Sequence, residues 1–168
     1  NRRYFYNNIP EICGVGTSLL FVDLDNFKQI NDTYGHHMGD DALKLTARLL
    51  QENFAEALIA RVGGDEFVLY WNGARIAEQV INQALQLQKA MKAVFTKDTP
   101  WEELSASIGI VMVSTADICK DEIVRRGDIA MYEAKRLGKN RVCLYSHEME
   151  AQQGGSPQSY RCNADRHS

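Results

Sequence analysis

Leu58-Ile59-Ala60-Arg61-Val62-Gly63-Gly64-Asp65-Glu66-Phe67-Val68-Leu69-Tyr70-Trp71 is the stretch on which the fold turns. Two short apolar runs, residues 58–62 and 67–71, flank a Gly-Gly pair. Runs of this length rich in branched and aromatic residues read as strands. The Gly-Gly pair would supply the positive φ angles of a tight hairpin. The pattern predicts two antiparallel strands, with Asp65 and Glu66 placed just past the turn.

Toward the N-terminus, Leu19-Leu20-Phe21-Val22-Asp23-Leu24-Asp25 is an apolar run ending in carboxylates, read as a buried strand. Alternation puts Leu20, Val22 and Leu24 on one side and Phe21, Asp23 and Asp25 on the other. Asn31-Asp32-Thr33-Tyr34-Gly35 reads as a turn after one short helix. Ala42, Leu43, Thr46, Leu49, Leu50 and Phe54 then recur at helical spacing, so an amphipathic helix faces a core. Asp40 and Asp41 would sit in its first turn, where negative charge is favoured. Residues 1–9 read as the end of a helix and residues 10–16 as a loop.

Toward the C-terminus, residues 75–95 predict a long amphipathic helix and residues 104–113 a strand interrupted by Gly109. Residues 121–137 predict a helix stopped by Gly138, and residues 141–145 the last strand. The order β-α-α-β-β-α-β-α-β implies an α+β fold: a central mixed, largely antiparallel five-stranded sheet flanked by helices. The folded domain is expected over residues 1–148. Residues 149–168, polar and without periodicity, are expected to be a disordered tail.

The 168 residues suit one domain, and 45% hydrophobic with 24% charged residues is an ordinary globular balance. A net charge of −3 argues against a general polyanion binder, so any phosphate site must be a local cluster of Lys and Arg. No basic nucleic-acid stripe, P-loop or dinucleotide fingerprint is present. Cys13, Cys119, Cys143 and Cys162 form no C-x-x-C pair, so neither a zinc site nor a disulfide framework is expected. Scattered cysteines fit a reducing compartment. With no long apolar run and no signal peptide, the domain is expected to be cytoplasmic and to make no membrane contact of its own. The opening Asn1-Arg2-Arg3, without Met, reads as part of a longer, N-terminally truncated protein.

Two acids end the first strand and two follow the Gly-Gly turn. If those strands are neighbours, Asp23 and a hairpin acid converge, and hard oxygen ligands so placed suit Mg²⁺. For any lone acid the ordinary reading is a solvated strand end or turn.

The neighbouring motifs reverse those odds. Arg61-Val62-Gly63-Gly64-Asp65-Glu66-Phe67 resembles the signature of the GGDEF-domain diguanylate cyclase family. So does the run from Asp23 to His36, with Gly39-Asp40 after it. Asp128-Ile129-Ala130-Met131-Tyr132-Glu133-Ala134-Lys135 with Gly138-Lys139-Asn140-Arg141 is similar to the family's C-terminal block. Ser107-Ile108-Gly109-Ile110 is similar to its penultimate strand, and Asn1-Arg2-Arg3 to the end of its opening motif. Five blocks in the right order, spanning residues 1 to about 145, carry the resemblance.

The resemblance implies a fold like the nucleotidyl cyclase and polymerase palm. It implies a reaction in which two GTP molecules become cyclic di-GMP and pyrophosphate, catalysed by a homodimer with one GTP per domain. A catalytically inactive GTP-binding regulatory module is the alternative. Asp23, the Leu24 carbonyl, Asp65 and Glu66 take the metal positions, for Mg²⁺ or Mn²⁺ in its place, with Asp65 and Glu66 also the catalytic acids. Asn31 and Asp40 are implied as guanine readers, Lys28, Lys135 and Lys139 as triphosphate contacts, and Gly63 and Gly64 as the place where backbone approaches the nucleotide. His36 is kept with the substrate set by its position in the matching block, although for His36 and His37 a structural role is the weightier reading. An upstream sensor domain is the implied partner. Many family members carry Arg-x-x-Asp just before Gly-Gly as a product-binding inhibitory site. Here Phe54-Ala55-Glu56-Ala57 stands in its place, where Phe offers a ring to stack but no charge.

Overall fold

The structure, a computed structural model, describes residues 2–152 of the chain. Helix α1 (Arg2–Asn8) leads through β1 (Ile12–Cys13) to β2 (Ser18–Asp25). Helices α2 (Phe27–Tyr34) and α3 (His36–Asn53) follow, then the hairpin β3 (Leu58–Arg61) and β4 (Glu66–Trp71). The remaining elements are α4 (Ala77–Val94), β5 (Ser105–Met112), β6 (Ile118–Cys119), α5 (Lys120–Arg136), β7 (Val142–Leu144) and α6 (Glu148–Gln152). The main sheet has five strands in the order β3-β4-β2-β5-β7, antiparallel except for the β5–β7 pair. This is the α+β arrangement expected, with β2 at its centre.

The alternation read along β2 holds. Leu20, Val22 and Leu24 pack with Phe27, Leu43, Leu50, Val80 and Leu87 on the face covered by α2, α3 and α4. Leu19 and Phe21 pack on the opposite face with Phe5, Ile9, Ile123 and Met131 of the α1 and α5 side. Asp23 and Asp25 share that second face, so both carboxylates look toward α5. Burying these side chains, at about 25 cal/mol per Å² of apolar surface, is the main force holding helices to sheet.

The helix α5 lies unusually close to the sheet, and two glycines explain it. A Cβ on Gly109 would meet the Met131 amide nitrogen at 2.4 Å, and one on Gly127 would meet the Phe21 ring at 2.5 Å. Gly109 therefore does not interrupt its strand, as the sequence suggested; β5 runs through it because the helix backbone needs that space. The close approach carries the C-terminal half of α5 to the end of β2.

Other expectations shift at the edges. Helix α3 begins at His36, so Asp40 and Asp41 lie past its first turn. Residues 10–16 are not all loop, because Ile12–Cys13 pairs with Ile118–Cys119 in a small second sheet. Cys13 and Cys143 are free and buried, but Cys119 is disulfide-bonded, so the cysteines are not all unpaired. Residues 148–152, four of which fall in the expected tail, form α6, held by Arg125 to Glu150 at 2.5 Å and Arg136 to Gln152 at 2.9 Å. The rest of that tail lies outside the described residues. Among those described, no helix is long and apolar enough to cross a membrane.

Candidate active site

The hairpin delivers its acids to the end of β2. In the β2–β4 register Asp23 stands opposite Glu66. The Leu24 N–H donates to the Asp65 carbonyl at 3.0 Å, and the Val62 N–H to the Glu66 carbonyl at 2.9 Å, which fixes the turn against the strand end. The convergence read from the sequence is therefore present for Asp23 and Glu66.

Both carboxyls are pushed above their ordinary range. For Asp23 burial is the main cause; Lys135 opposes it, and Asp65 and Asp25 add to it. An ion pair alone would lower Asp23, and the neighbouring acids with burial outweigh it. For Glu66 burial again leads, followed by repulsion from Asp23, with Arg2 opposing. The Asp23 Oδ1 atom is buried and has no hydrogen-bond partner. Two half-buried acids that repel each other, one with a buried idle oxygen, suit a bound cation. Among the described residues no three His, Cys, Asp or Glu side chains gather as a metal cage. A hard divalent ion that keeps water and phosphate ligands needs no such cage, so the residues fit Mg²⁺ better than an all-protein site.

The Gly-Gly pair departs from the hairpin reading. Neither Gly63 nor Gly64 has a φ in the left-handed region. A Cβ on Gly64 would meet nothing within 4 Å, and one on Gly63 only Glu66 atoms at 3.5 Å and beyond. The fold itself does not demand glycine at either position. The bare backbone beside the acids is left open to whatever approaches the site.

Asn31 lies on α2 and its Oδ1 is buried without a partner. A Cβ on Gly39 would fall 1.8 Å from that oxygen, so Gly39 is the gap through which the amide reaches α3. Asp40 follows Gly39 and is exposed, and His36 opens the helix one turn earlier, also exposed. Lys28 is exposed one turn before Asn31 on α2. The helices that carry these residues, α2 and α3, follow the end of β2 and cover one face of the sheet.

On the other side Lys135 reaches from α5 to Asp23 Oδ2 at 3.0 Å and Asp25 Oδ1 at 3.1 Å. Burial alone would lower this ammonium, but the two carboxylates hold it above its ordinary range. Lys139 is exposed in the turn after α5. Asp25, which the sequence reading gave no role, is only 1% exposed yet fully partnered. Ser107 Oγ donates to its Oδ1 at 2.7 Å, and Ser105 Oγ and the Asn140 N–H to its Oδ2 at 2.7 and 2.9 Å. Burial works to raise it, but the two hydroxyls, the amide and Lys135 together hold it below the ordinary carboxylate range. The alternating Ser105 and Ser107 on the strand facing Asp-x-Asp were the available signal. Arg2 pairs with Asp128 at 3.8 Å and bears on Glu66, a contact joining α1 to the site that spacing could not reveal.

The corner before the hairpin is closed. Phe54 is 1% exposed and meets the Trp71 ring edge-on at 5.0 Å, while Trp71 Nε1 donates to the Ala55 carbonyl. Phe54 is therefore not the exposed stacking surface that the sequence allowed. A cavity of about 560 Å³ lies elsewhere, between α1 and α5, lined by Phe5, Phe21, Val124 and Asp128 among others, without Asp23 or Glu66. The acid pair, not that hollow, marks the chemistry.

Comparison with known proteins agrees with this geometry. The family described as diguanylate cyclase, GGDEF domain, matches residues 1–141. The bifunctional diguanylate cyclase/cyclic di-GMP phosphodiesterase MucR of Pseudomonas aeruginosa is 38% identical over 135 residues, covering 80% of this chain and 20% of that protein. A diguanylate cyclase of Vibrio cholerae is 35% identical, covering 79% of this chain and 41% of that one. The GGDEF domain of TpbB (YfiN) from Pseudomonas aeruginosa superimposes with a TM-score of 0.77 at 25% identity, covering 92% and 94% of the two chains. The chain thus spans between a fifth and about two fifths of those two curated relatives' lengths. With its palm-like sheet, its hairpin acids and this match across residues 1–141, the chain belongs to the diguanylate cyclase GGDEF-domain family.

Proposed function

We propose that this domain condenses two GTP molecules into cyclic di-GMP, releasing pyrophosphate, as a homodimer with one GTP per domain. The observation that carries the reading is the half-buried pair Asp23 and Glu66, with the unpartnered Asp23 Oδ1, beside the open Gly63-Gly64 backbone. Asp23 and Glu66, with the Leu24 carbonyl, would hold Mg²⁺, or Mn²⁺ in its place, and Asp65 stands beside them. When bound, such an ion supplies charge for the triphosphate and for the attacking 3′-hydroxyl.

The remaining steps belong to this chain's residues. Asp40 accepts the guanine N1–H and N2–H₂, and Asn31, whose Oδ1 has no partner, meets the same base. Lys28, Lys135 and Lys139 place compact positive charge around the phosphates. Gly63 and Gly64 let main chain close on the nucleotide. Positioning and charge stabilisation of this kind are the usual sources of phosphoryl-transfer rate.

One domain presents one base-reading pair, whereas the product needs two nucleotides facing each other. A two-fold pair of domains supplies the second. The matching segment is a minority of the longer relatives, which supports a sensor elsewhere in the full protein that controls the pairing.

The test is incubation of the purified protein with GTP and Mg²⁺ and identification of products by mass. Cyclic di-GMP and pyrophosphate are expected, at a rate per molecule that rises with protein concentration until dimers saturate. GTP that is bound but returned unchanged would favour the regulatory module. A flat rate in demonstrably monomeric protein would remove the half-site scheme.

A further inference from the structure

We infer that Asp25 is a positioning residue that clamps Lys135 and the Gly138–Arg141 turn, and so holds the two lysines of that side against the triphosphate. This rests on the reading of Lys135 and Lys139 as phosphate contacts.

A carboxylate has about four acceptor sites. Asp25 fills them with four donors from three elements: Ser105 and Ser107 of β5, Lys135 of α5 and the Asn140 amide of the turn. With no acceptor capacity left and 1% exposure, Asp25 cannot serve as a metal ligand, although it shares a strand and a face with Asp23. The two serines fix the carboxylate to the sheet, and the carboxylate in turn holds Lys135 and the Asn140 turn.

Each partner needs such a hold. Lys135 is shared between Asp23 and Asp25 at nearly equal distances. A cation held at the idle Asp23 Oδ1 would repel the Lys135 ammonium on Oδ2, and Asp25 would be the anion that keeps that ammonium in place. In the turn, Gly138, Lys139 and Asn140 have φ of 121°, 65° and 49°, three successive left-handed residues of which two are not glycine. L-residues resist that conformation, and it persists only when its surroundings over-determine it. The Asn140 N–H bond to Asp25 and the Lys139 N–H bond to the Ala134 carbonyl, at 2.9 and 3.0 Å, do so. They leave the Lys139 side chain exposed beside the site.

The experiment is steady-state kinetics on Asp25→Asn, Lys135→Met and the double variant, with affinity for a non-hydrolysable GTP analogue measured by calorimetry. Asp25→Asn keeps the shape but loses the charge and one acceptor. The KM for GTP and the analogue Kd should each rise about tenfold, with kcat changed less than about threefold. The double variant should be much milder than the product of the singles, because the two residues act through one contact. A folded Asp25→Asn protein with parental KM and analogue affinity, or with effects that multiply independently of Lys135→Met, overturns the inference. If Asp25→Asn does not fold, the Ser105→Ala/Ser107→Ala pair keeps the charge and loosens its seat. Its KM should rise about threefold, and an unchanged KM overturns the inference. A parent protein inert toward GTP and divalent metal would instead refute the reading of the whole site.

Discussion

Asp23 and Asp25 stand two residues apart on one strand, on one face, and touch the same lysine, yet they have opposite surroundings. Around Asp25 the sheet, α5 and the Asn140 turn aim donors at every acceptor site, and its carboxyl is held low. Around Asp23 the hairpin aims further acids, one oxygen has no partner, and its carboxyl is pushed up. The Asp25 side is a finished structural joint. The Asp23–Glu66 side is an arrangement the fold holds together against its own repulsion. Half-buried, mutually repelling acids whose carboxyls are pushed up make this side the candidate cation seat.

The largest effects expected are on folding stability, and they should differ in sign. Removing the Asp25 charge as Asp25→Asn leaves buried donors short of an acceptor and should cost about 3 kcal/mol. Glu66→Gln removes a repelled charge and should raise stability by about 1 kcal/mol, or roughly 2–4 °C in melting temperature. Thermal melts at neutral pH without divalent metal would show it; equal losses in both variants would erase the contrast.

A pH series sharpens the same comparison. Asp25 has a depressed folded-state pKa, so the stability it contributes is present above the ordinary carboxylate range and is lost as pH falls through its folded value. Asp23 and Glu66 are raised, so each favours the folded state most when protonated and loses that advantage as pH climbs through its folded value. On acidification from neutrality, relief at Asp23 and Glu66 should come first and loss at Asp25 later. Glu66→Gln should flatten the first limb and leave the second, as read from urea midpoints.

Glycine exchanges separate site from scaffold by a smaller margin. Gly64→Ala should change stability by less than about 0.5 kcal/mol, since its Cβ has open space, while GTP turnover falls. Gly39→Ala should displace the Asn31 amide and weaken GTP binding about tenfold with the helix intact. The smallest effect is expected at the Phe54–Ala57 corner. Phe54 is sealed beneath Trp71 and Ala57 offers no side-chain acceptor. With the active site blocked by the GTP analogue, cyclic di-GMP should give no calorimetric signal there, and submicromolar binding lost on changes at this corner would contradict that.

Much of this was legible because it rests on short-range pattern. Period-two alternation along residues 19–25 separated the two faces of β2, and a Gly-Gly pair between apolar runs marked the hairpin. The site positions followed from ordered motifs, and the structure brings Asp23 and Glu66 together as they implied. What stayed hidden depends on contacts between distant segments. The four donors on Asp25 come from residues 80 to 115 positions away. The reason for Gly109 is the backbone of α5, and Gly63 and Gly64 proved not to need the left-handed angles that the hairpin rule assigned them. The start of α3 was placed too late because Gly35 and two histidines look like loop, whereas the helix begins directly after Gly35.

The most direct test of the central claim, that Asp23 and Glu66 form a divalent-ion seat for GTP chemistry, is a metal-linked melt. The parent protein and Glu66→Gln are each melted with a saturating non-hydrolysable GTP analogue, once with excess Mg²⁺ and once with chelator. A ligand at a hundred times its Kd stabilises by about 2.7 kcal/mol. The account expects a Mg²⁺-dependent rise of several degrees in the parent, little or none in Glu66→Gln, and cyclic di-GMP formed from GTP only by the parent. A Glu66→Gln protein that gains as much from Mg²⁺ as the parent and turns over GTP at the parental rate would contradict it.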